Sequence, residues 1–259
     1  MKTATEVFKD IKTFSENAEF IPTGFQKLDT ELDGGFMKKE LIVIGGYTGS
    51  GKSYISGQIL FNAAKKGFKS AYFSLEIANE MIVSRLIGSE SNLKPTLIMK
   101  GFLTPEENTS KIKAQGLISA YDNQLSFIDD KYQLFEICKL IRENKFEFVV
   151  IDFIQNIMDK GDEYEKLSKV SLEFQKLAKE CNCCVLVVSQ LSNDAFKTGA
   201  LEYKGSGSIA TVCDLGMFLT RDEESIDRLE LKVKKNRRGR SGISVPLQSV
   251  YPGGKIHEL

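Results

Sequence analysis

The sequence predicts a single α/β domain built on a mostly parallel central sheet. Short runs that are apolar at every position recur along the chain, for example residues 41–44 and 183–189. Amphipathic stretches with helical spacing separate these runs. Strands that are apolar on both faces are typical of parallel sheets that are covered by helices on each side.

The predicted strands follow a regular order. Residues 41–44 form the first, and a pair of glycines ends it. Further strands are predicted at residues 69–75, 124–128, 146–153, 183–189, 215–219, 228–233 and 244–250. The last two strands are predicted to form an antiparallel hairpin.

The helices are predicted from apolar residues that recur every three or four positions. Helical patterns cover residues 53–66, 78–91 and 133–144, and a further stripe runs from Leu167 to Ala178. Residues 94–124 are predicted to combine helix and loop. Residues 1–20 are predicted to contain one short amphipathic helix with Val7, Phe8, Ile11 and Phe14 on one side. Packing of this side on its own domain and packing on something outside the domain are equally open. We therefore divide the chain into a linker helix segment (1–20) and one main domain (21–259).

Composition excludes several classes of protein. The 259 residues carry 35 basic and 35 acidic side chains, so bulk charge gives no indication of nucleic-acid binding. Five cysteines, an odd number in a chain of this size, argue against a disulfide framework, and Cys183 and Cys184 are predicted to begin a buried strand. The sequence contains no apolar run long enough to span a membrane and no secretory leader.

A glycine-rich segment follows the first strand. It has the pattern G-x-x-x-x-G-K-S and comprises Gly46, Tyr47, Thr48, Gly49, Ser50, Gly51, Lys52 and Ser53. Such a loop between a strand and a helix presents backbone N–H groups to phosphate oxygens, and the helix adds its positive end. Lys52 would reach the β- and γ-phosphates, and the Ser53 hydroxyl would bind Mg²⁺. The sequence therefore predicts binding of ATP or another nucleoside triphosphate with Mg²⁺.

Three polar side chains follow other predicted strands. Asp152 closes an apolar run, where it would hold the Mg²⁺ through water. Glu76 follows the strand at residues 69–75 and could deprotonate the attacking water. Gln190 follows the strand at residues 183–189 and could sense the γ-phosphate. Position alone leaves a solvated glutamate and a loop glutamine equally open for the last two residues.

Several motifs in order resemble one family. The segments are IPTGFQKLDTELDGGF, IGGYTGSGKS, YFSLEIANEMIVSRLIGSES, VIDFIQNI, LAKECNCCVLVVSQLS, GSGSI, CDLGMFLTRD and KVKKNRRGRSG. Together they resemble the C-terminal RecA-like ATPase domain of DnaB-type replicative DNA helicases, within superfamily 4. The resemblance implies a RecA-like P-loop fold with a C-terminal antiparallel hairpin. It also implies that Glu76 is the catalytic glutamate and that Gln190 is the γ-phosphate sensor.

In this family each nucleotide lies between two subunits of a ring. The resemblance places Lys235 and Arg237 at the position of a basic pair that reaches the neighbour's γ-phosphate. Arg238 takes that role if the alignment shifts by one residue, and a solvated basic hairpin is the structural alternative.

The resemblance also implies binding of single-stranded DNA. Lys204, Gly205 and Gly207 match the family's central DNA-binding loop, although Lys204-Gly205 departs from its usual arginine–glutamate pair. The expected partners are single-stranded DNA, a hexameric ring of identical chains, and a primase or a helicase loader. The expected location is the cytoplasm, in the replication machinery of a bacterium, a phage or a mobile element. The alternative function is a RecA-like DNA-dependent ATPase of recombination or regulation that does not unwind DNA.

Overall fold

A nine-stranded sheet forms the centre of the molecule. The computed structural model describes residues 3–9, 20–191, 207–222 and 224–259. The sheet strands are β3 (Leu41–Gly46), β4 (Ser70–Ser74), β5 (Leu125–Ile128), β6 (Phe148–Asp152), β7 (Cys184–Gln190), β8 (Leu215–Arg221), β9 (Arg228–Asn236), β10 (Ile243–Val250) and β11 (Lys255–Glu258). Two short strands, β1 (Phe20–Ile21) and β2 (Phe36–Met37), pair separately.

The sheet combines a parallel part with an antiparallel part. The strand order is β11-β10-β9-β8-β3-β7-β6-β4-β5. Every pairing from β8 to β5 is parallel. The pairings β8–β9, β9–β10 and β10–β11 are antiparallel. The predicted parallel sheet and C-terminal hairpin are thus confirmed.

Helices cover both faces of this sheet. They are α1 (residues 4–9), α2 (Gln26–Glu31), α3 (Lys52–Lys65), α4 (Asn79–Ser91), α5 (Pro95–Lys100), α6 (Pro105–Ser119), α7 (Leu134–Asn144), α8 (Glu163–Cys181) and α9 (Gly207–Val212). Among the residues described, none of these helices is long and apolar enough to cross a bilayer.

Successive residues of the parallel strands point to opposite faces of the sheet and pack into two hydrophobic cores. In β3, Leu41 and Val43 join the core beneath α7 and α8. Ile42 and Ile44 join the opposite core, which contains residues of α2 and α3. This arrangement explains why β3 is apolar at successive positions, and Cys183 and Cys184 are buried in the same way. Burial raises the pKa of the Cys183 thiol to about 12, so it behaves as a small apolar group.

Several elements were not predicted. They are α2, the β1–β2 pair and β11, and residues 95–119 contain two separate helices, α5 and α6. Of the amphipathic segment at residues 1–20, residues 4–9 form α1, with Val7 and Phe8 exposed. Ile11 and Phe14 lie outside the described residues.

Candidate active site

The glycine-rich loop connects β3 to α3 at the carboxyl edge of the parallel sheet. Its first residue, Gly46, is closely surrounded: a Cβ there would lie 2.6 Å from Ser50 Oγ and 2.7 Å from Leu219 O. Gly51 precedes α3 with a φ of 100°, in the left-handed region that favours glycine. The loop therefore requires glycine at both positions, as do loops that present backbone amides to phosphate.

The Lys52 ammonium lies over this loop. Its Nζ donates to Gly46 O and to Tyr47 O, both at 2.7 Å. Burial lowers the pKa of Lys52 to about 8, while the negative charges of Asp152 and Glu76 act in the opposite direction. The Lys52 ammonium is therefore partly desolvated and lies beside two carboxylates. The negative charge of a bound phosphate would stabilise its protonated form further.

Asp152 ends β6 and is almost completely buried, with 3% of its surface exposed. The Tyr72 hydroxyl donates to Asp152 Oδ2 over 2.6 Å and so fixes the carboxylate. Burial raises the pKa of Tyr72 well above its usual value, and the charge of Asp152 adds to this effect, so Tyr72 remains a donor. Ser53 lines the same cleft. A hydroxyl and a carboxylate are hard oxygen donors, and they fit Mg²⁺.

Neighbouring segments hold Glu76 in place just beyond β4. The N–H of Leu75 donates to Asp152 O over 2.7 Å, and Asn156 Nδ2 donates to Leu75 O over 2.8 Å. The Glu76 side chain is exposed and lines the cleft beside Lys52. It is placed where a base could reach a water molecule near a bound phosphate.

Gln190 ends β7 directly beside the loop, because it pairs with Gly46 in the parallel register. Gln155, which follows β6, supports this strand end. Its Nε2 donates to Ser189 Oγ over 2.9 Å, and its Oε1 accepts from Gln190 N over 3.4 Å. No role was predicted for Gln155, although it lies in the quoted motif VIDFIQNI, because its partner Ser189 is 34 residues away in sequence.

The five predicted groups meet in one cleft of about 270 Å³. Its lining includes Lys52, Ser53, Glu76, Asp152 and Gln190. Two arginines that were not predicted, Arg85 and Arg221, also line it. A second cleft of about 470 Å³ shares Gly51, Tyr54 and both arginines with the first. Cations, an amide, a hydroxyl and carboxylates in this arrangement can bind a polyphosphate and activate water.

The predicted basic pair lies toward the amino-terminal ends of the parallel strands, which are opposite the ends that carry the cleft. Lys235 pairs with Gly216 near the start of β8, whereas the phosphate loop begins level with Leu219. Gly216 is level with Val43, three residues before Gly46, so at about 3.3 Å per residue Lys235 lies roughly 10 Å from the loop along the strand direction. Arg237 lies further still, since its N–H donates to Asp214 O. Lys235 and Arg237 are therefore remote from the loop of their own chain.

Arg238 faces inward, unlike its neighbour. Its Nε lies 2.9 Å from Glu40 Oε1, and its NH1 and NH2 donate to Leu32 O and Gly35 O at 3.1 and 2.9 Å. The guanidinium also lies over the Phe20 ring. These contacts give Arg238 a structural role, which makes it a poorer candidate than Arg237 for contacting a neighbour's phosphate.

The DNA-binding candidates are only partly described. Gly207 is the first residue of α9. Lys204 and Gly205 lie outside the described residues. No group of three or more histidine, cysteine or acidic side chains that could hold a metal ion occurs in the described part of the chain.

Comparisons with known proteins agree on one family. Residues 20–249 match the family described as DnaB-like helicase C terminal domain. The chain is 30% identical to the replicative DNA helicase DnaB of Treponema pallidum (strain Nichols) over 233 residues, which cover 86% of this chain and 52% of the relative. It is also 30% identical to the replicative DNA helicase DnaC of Bacillus subtilis (strain 168), covering 86% and 53% of the two chains. The chain thus spans about half the length of these relatives.

Solved structures share the fold. One solved ATPase domain superposes with a TM-score of 0.84 at 22% identity, covering 98% of this chain and 96% of that one. The KaiC-like protein PH0186 from Pyrococcus horikoshii OT3 gives a TM-score of 0.66 at 17% identity, with coverage of 93% and 99%. The expected RecA-like fold is confirmed, and the chain belongs to the DnaB-like helicase C-terminal domain family.

Proposed function

We propose that this chain is the ATP-hydrolysing motor of a DNA helicase that works on single-stranded DNA as a ring of identical subunits, six by family resemblance. One observation supports the proposal above others. Five groups suited to hydrolysis share one cleft, while Lys235 and Arg237 lie at the far edge of the sheet. A site divided in this way functions when a neighbouring copy supplies the missing half.

Each side chain in the cleft has a distinct role in this proposal. Lys52 binds the β- and γ-phosphates of ATP or another nucleoside triphosphate, and Ser53 with Asp152 would hold Mg²⁺. The ion supplies positive charge to the phosphates when bound. Glu76 orients the attacking water and accepts its proton, while Gln190 contacts the γ-phosphate. Lys235 and Arg237 of the neighbouring subunit stabilise charge on the transferring phosphoryl group.

DNA contacts are assigned to the segment that leads into α9. Lys204, Gly205 and Gly207 are proposed to bind the DNA backbone, which suits a motor that must move along any sequence. A primase or a helicase loader is a further proposed partner; one structural neighbour, at TM-score 0.84 and 22% identity, is a DnaB-like replicative helicase whose structure concerns its interactions with primase.

The central experiment measures ATP hydrolysis against protein concentration, with and without single-stranded DNA. We expect the specific activity to rise with both, because the second half of each site comes from another chain. Activity that is flat in both variables would overturn the proposal. Strand separation on a forked duplex then distinguishes a helicase from a DNA-dependent ATPase that does not unwind.

The segment at residues 1–20 is proposed to dock on the adjacent subunit. Val7 and Phe8 of α1 are 41% and 66% exposed, so an apolar surface is available for such a contact. Removing residues 1–18 should shift sedimentation toward smaller species at a given concentration. An unchanged distribution would rule out this role.

A further inference from the structure

The carboxyl end of α9 holds both members of the basic pair. Lys235 Nζ donates to Ala210 O and to Thr211 O, each at 2.8 Å. Arg237 NH2 donates to Thr211 O over 3.0 Å. Cations at the carboxyl end of a helix are favourable, because the helix dipole places partial negative charge there. The pair is therefore attached to α9.

Asp214 adds a carboxylate to this attachment. Its Oδ1 lies 2.7 Å from Arg237 NH1, and its backbone oxygen accepts from Arg237 N over 3.0 Å. Its Oδ2 accepts from Leu41 N over 3.0 Å, which ties the carboxylate to the start of β3. The Asp214 side chain is 11% exposed, so its position is well defined.

Among the residues that the structure describes, Arg237 keeps donors available beyond these contacts. A guanidinium has five N–H donors, and those to Asp214 and Thr211 use two of them. Its side chain is 46% exposed. Asp214 thus holds one side of the planar fork, and the other side remains accessible to a second anion.

The same short helix begins at a proposed DNA contact. Gly207 is the first residue of α9, and Thr211 lies four residues later. Six helical residues span only about 9 Å. A displacement at Gly207 would therefore move the carbonyl groups that hold Lys235 and Arg237.

We propose that Asp214 is a positioning residue for Arg237. With the carbonyl groups at the end of α9, it orients Arg237 toward the nucleotide of the adjacent subunit and couples that orientation to DNA bound at the start of α9. The inference rests on the proposed function, since it requires Arg237 to act in a neighbouring site.

The test compares Asp214→Asn with a matched control in the full chain. Glu147→Gln is the control, because Glu147 also pairs with a cation and accepts from a backbone amide. Its Oε1 lies 2.7 Å from Lys38 Nζ, and its Oε2 accepts from Lys69 N over 2.9 Å. We expect Asp214→Asn to lower kcat at least tenfold and to reduce stimulation by single-stranded DNA, with KM for ATP within about twofold of wild type. Glu147→Gln should leave all three values unchanged.

Double variants show whether a negative result contradicts the positioning role of Asp214 or the proposed arrangement between subunits. In an Arg237→Ala background, Asp214→Asn should cause no further loss of kcat, because the residue that it positions is gone. If Arg237→Ala itself has wild-type activity, the proposed arrangement between subunits fails. If Arg237→Ala is inactive while folded Asp214→Asn has wild-type kcat, only the positioning role fails.

A second variant covers the case in which Asp214→Asn does not fold. Asp214→Glu keeps the charge but moves the carboxylate by one methylene, so kcat should again fall while KM is retained. Wild-type kcat in folded Asp214→Glu would then overturn the proposal.

Discussion

Lys52 is a buried cation beside two carboxylates, and these two features act on its pKa in opposite directions. Burial lowers its pKa to about 8 in the free chain. Bound phosphate would favour the charged form and raise this pKa again. We therefore expect nucleotide binding above about pH 8 to be accompanied by proton uptake at this side chain.

We accordingly expect ADP to bind with constant affinity up to about pH 7.5 and more weakly above pH 8. The affinity for ADP should fall by up to tenfold per pH unit, because one proton is taken up on binding. Titrations between pH 7 and pH 9.5 would measure it. Lys52→Met removes the titrating group, so its weaker binding should be independent of pH. A flat profile for the wild-type chain would contradict the expectation.

Glu76 offers a second test at a single residue. Glu76→Gln keeps the shape and removes the base, so kcat should fall by about 10²- to 10⁴-fold, while nucleotide affinity is retained. Glu80→Gln is a suitable control, since Glu80 is also exposed and lies four residues later. Steady-state hydrolysis and nucleotide titration give the two quantities. Comparable losses in both variants would exclude a specific role for Glu76.

Among the elements, the end of β9 places two neighbouring arginines in different environments. Arg238 side-chain exposure is 18% and that of its partner Glu40 is 6%, whereas Arg237 is 46% exposed. Burial raises the pKa of Glu40 to about 7, and the Arg238 charge opposes that rise. Removing Arg238 would leave a buried carboxyl group without its cation.

Arg238→Ala should therefore lower the free energy of unfolding by about 3 kcal/mol. Arg237→Ala should lower it by less, about 1 kcal/mol, because the Arg237 side chain is half-exposed and Asp214 keeps hydrogen bonds from Leu41 N and Gln175 Nε2. The order reverses for catalysis, where Arg237→Ala should reduce kcat on the order of 10³-fold. Urea unfolding and ATP hydrolysis of both variants would show this crossover; equal effects on stability would contradict it.

The alternation of strands and helices could be predicted because the central strands are apolar at successive positions. Residues 41–44 and 183–189 carry that signal clearly. The β1–β2 pair could not be predicted, since each strand has only two residues. β11 contains a single buried apolar residue, Ile256, so its sequence does not resemble a core strand.

The site residues could likewise be predicted only where the sequence carries a local pattern. Asp152 could be proposed because it closes an apolar strand. Strand position made Glu76 and Gln190 only candidates, and the family resemblance assigned their roles. Tyr72 could not be proposed, because its contact with Asp152 depends on the pairing of β4 with β6. No site role was predicted for Arg85 and Arg221, although both lie within quoted motif segments, because only the folded chain shows that they line the cleft.

For the whole molecule, the separation of the phosphate loop from the basic pair predicts complementation between inactive chains. Lys52→Ala lacks one half of the proposed site, and Arg237→Ala lacks the other. In randomly mixed rings, about a quarter of the sites combine two intact halves, because head-to-tail contacts join unlike surfaces. Mixing the two inactive variants should therefore restore hydrolysis. Mixtures that remain inactive, although subunits exchange, would show that each site lies within one chain.

The position of Lys235 and Arg237 at the far edge of the sheet also bears on inheritance. An altered chain that still assembles would disable a site whose phosphate loop belongs to a normal chain. Under the proposed arrangement, an Arg237 allele is therefore expected to be dominant in a cell that expresses both copies, since the normal gene product would depend on its neighbours for its own activity.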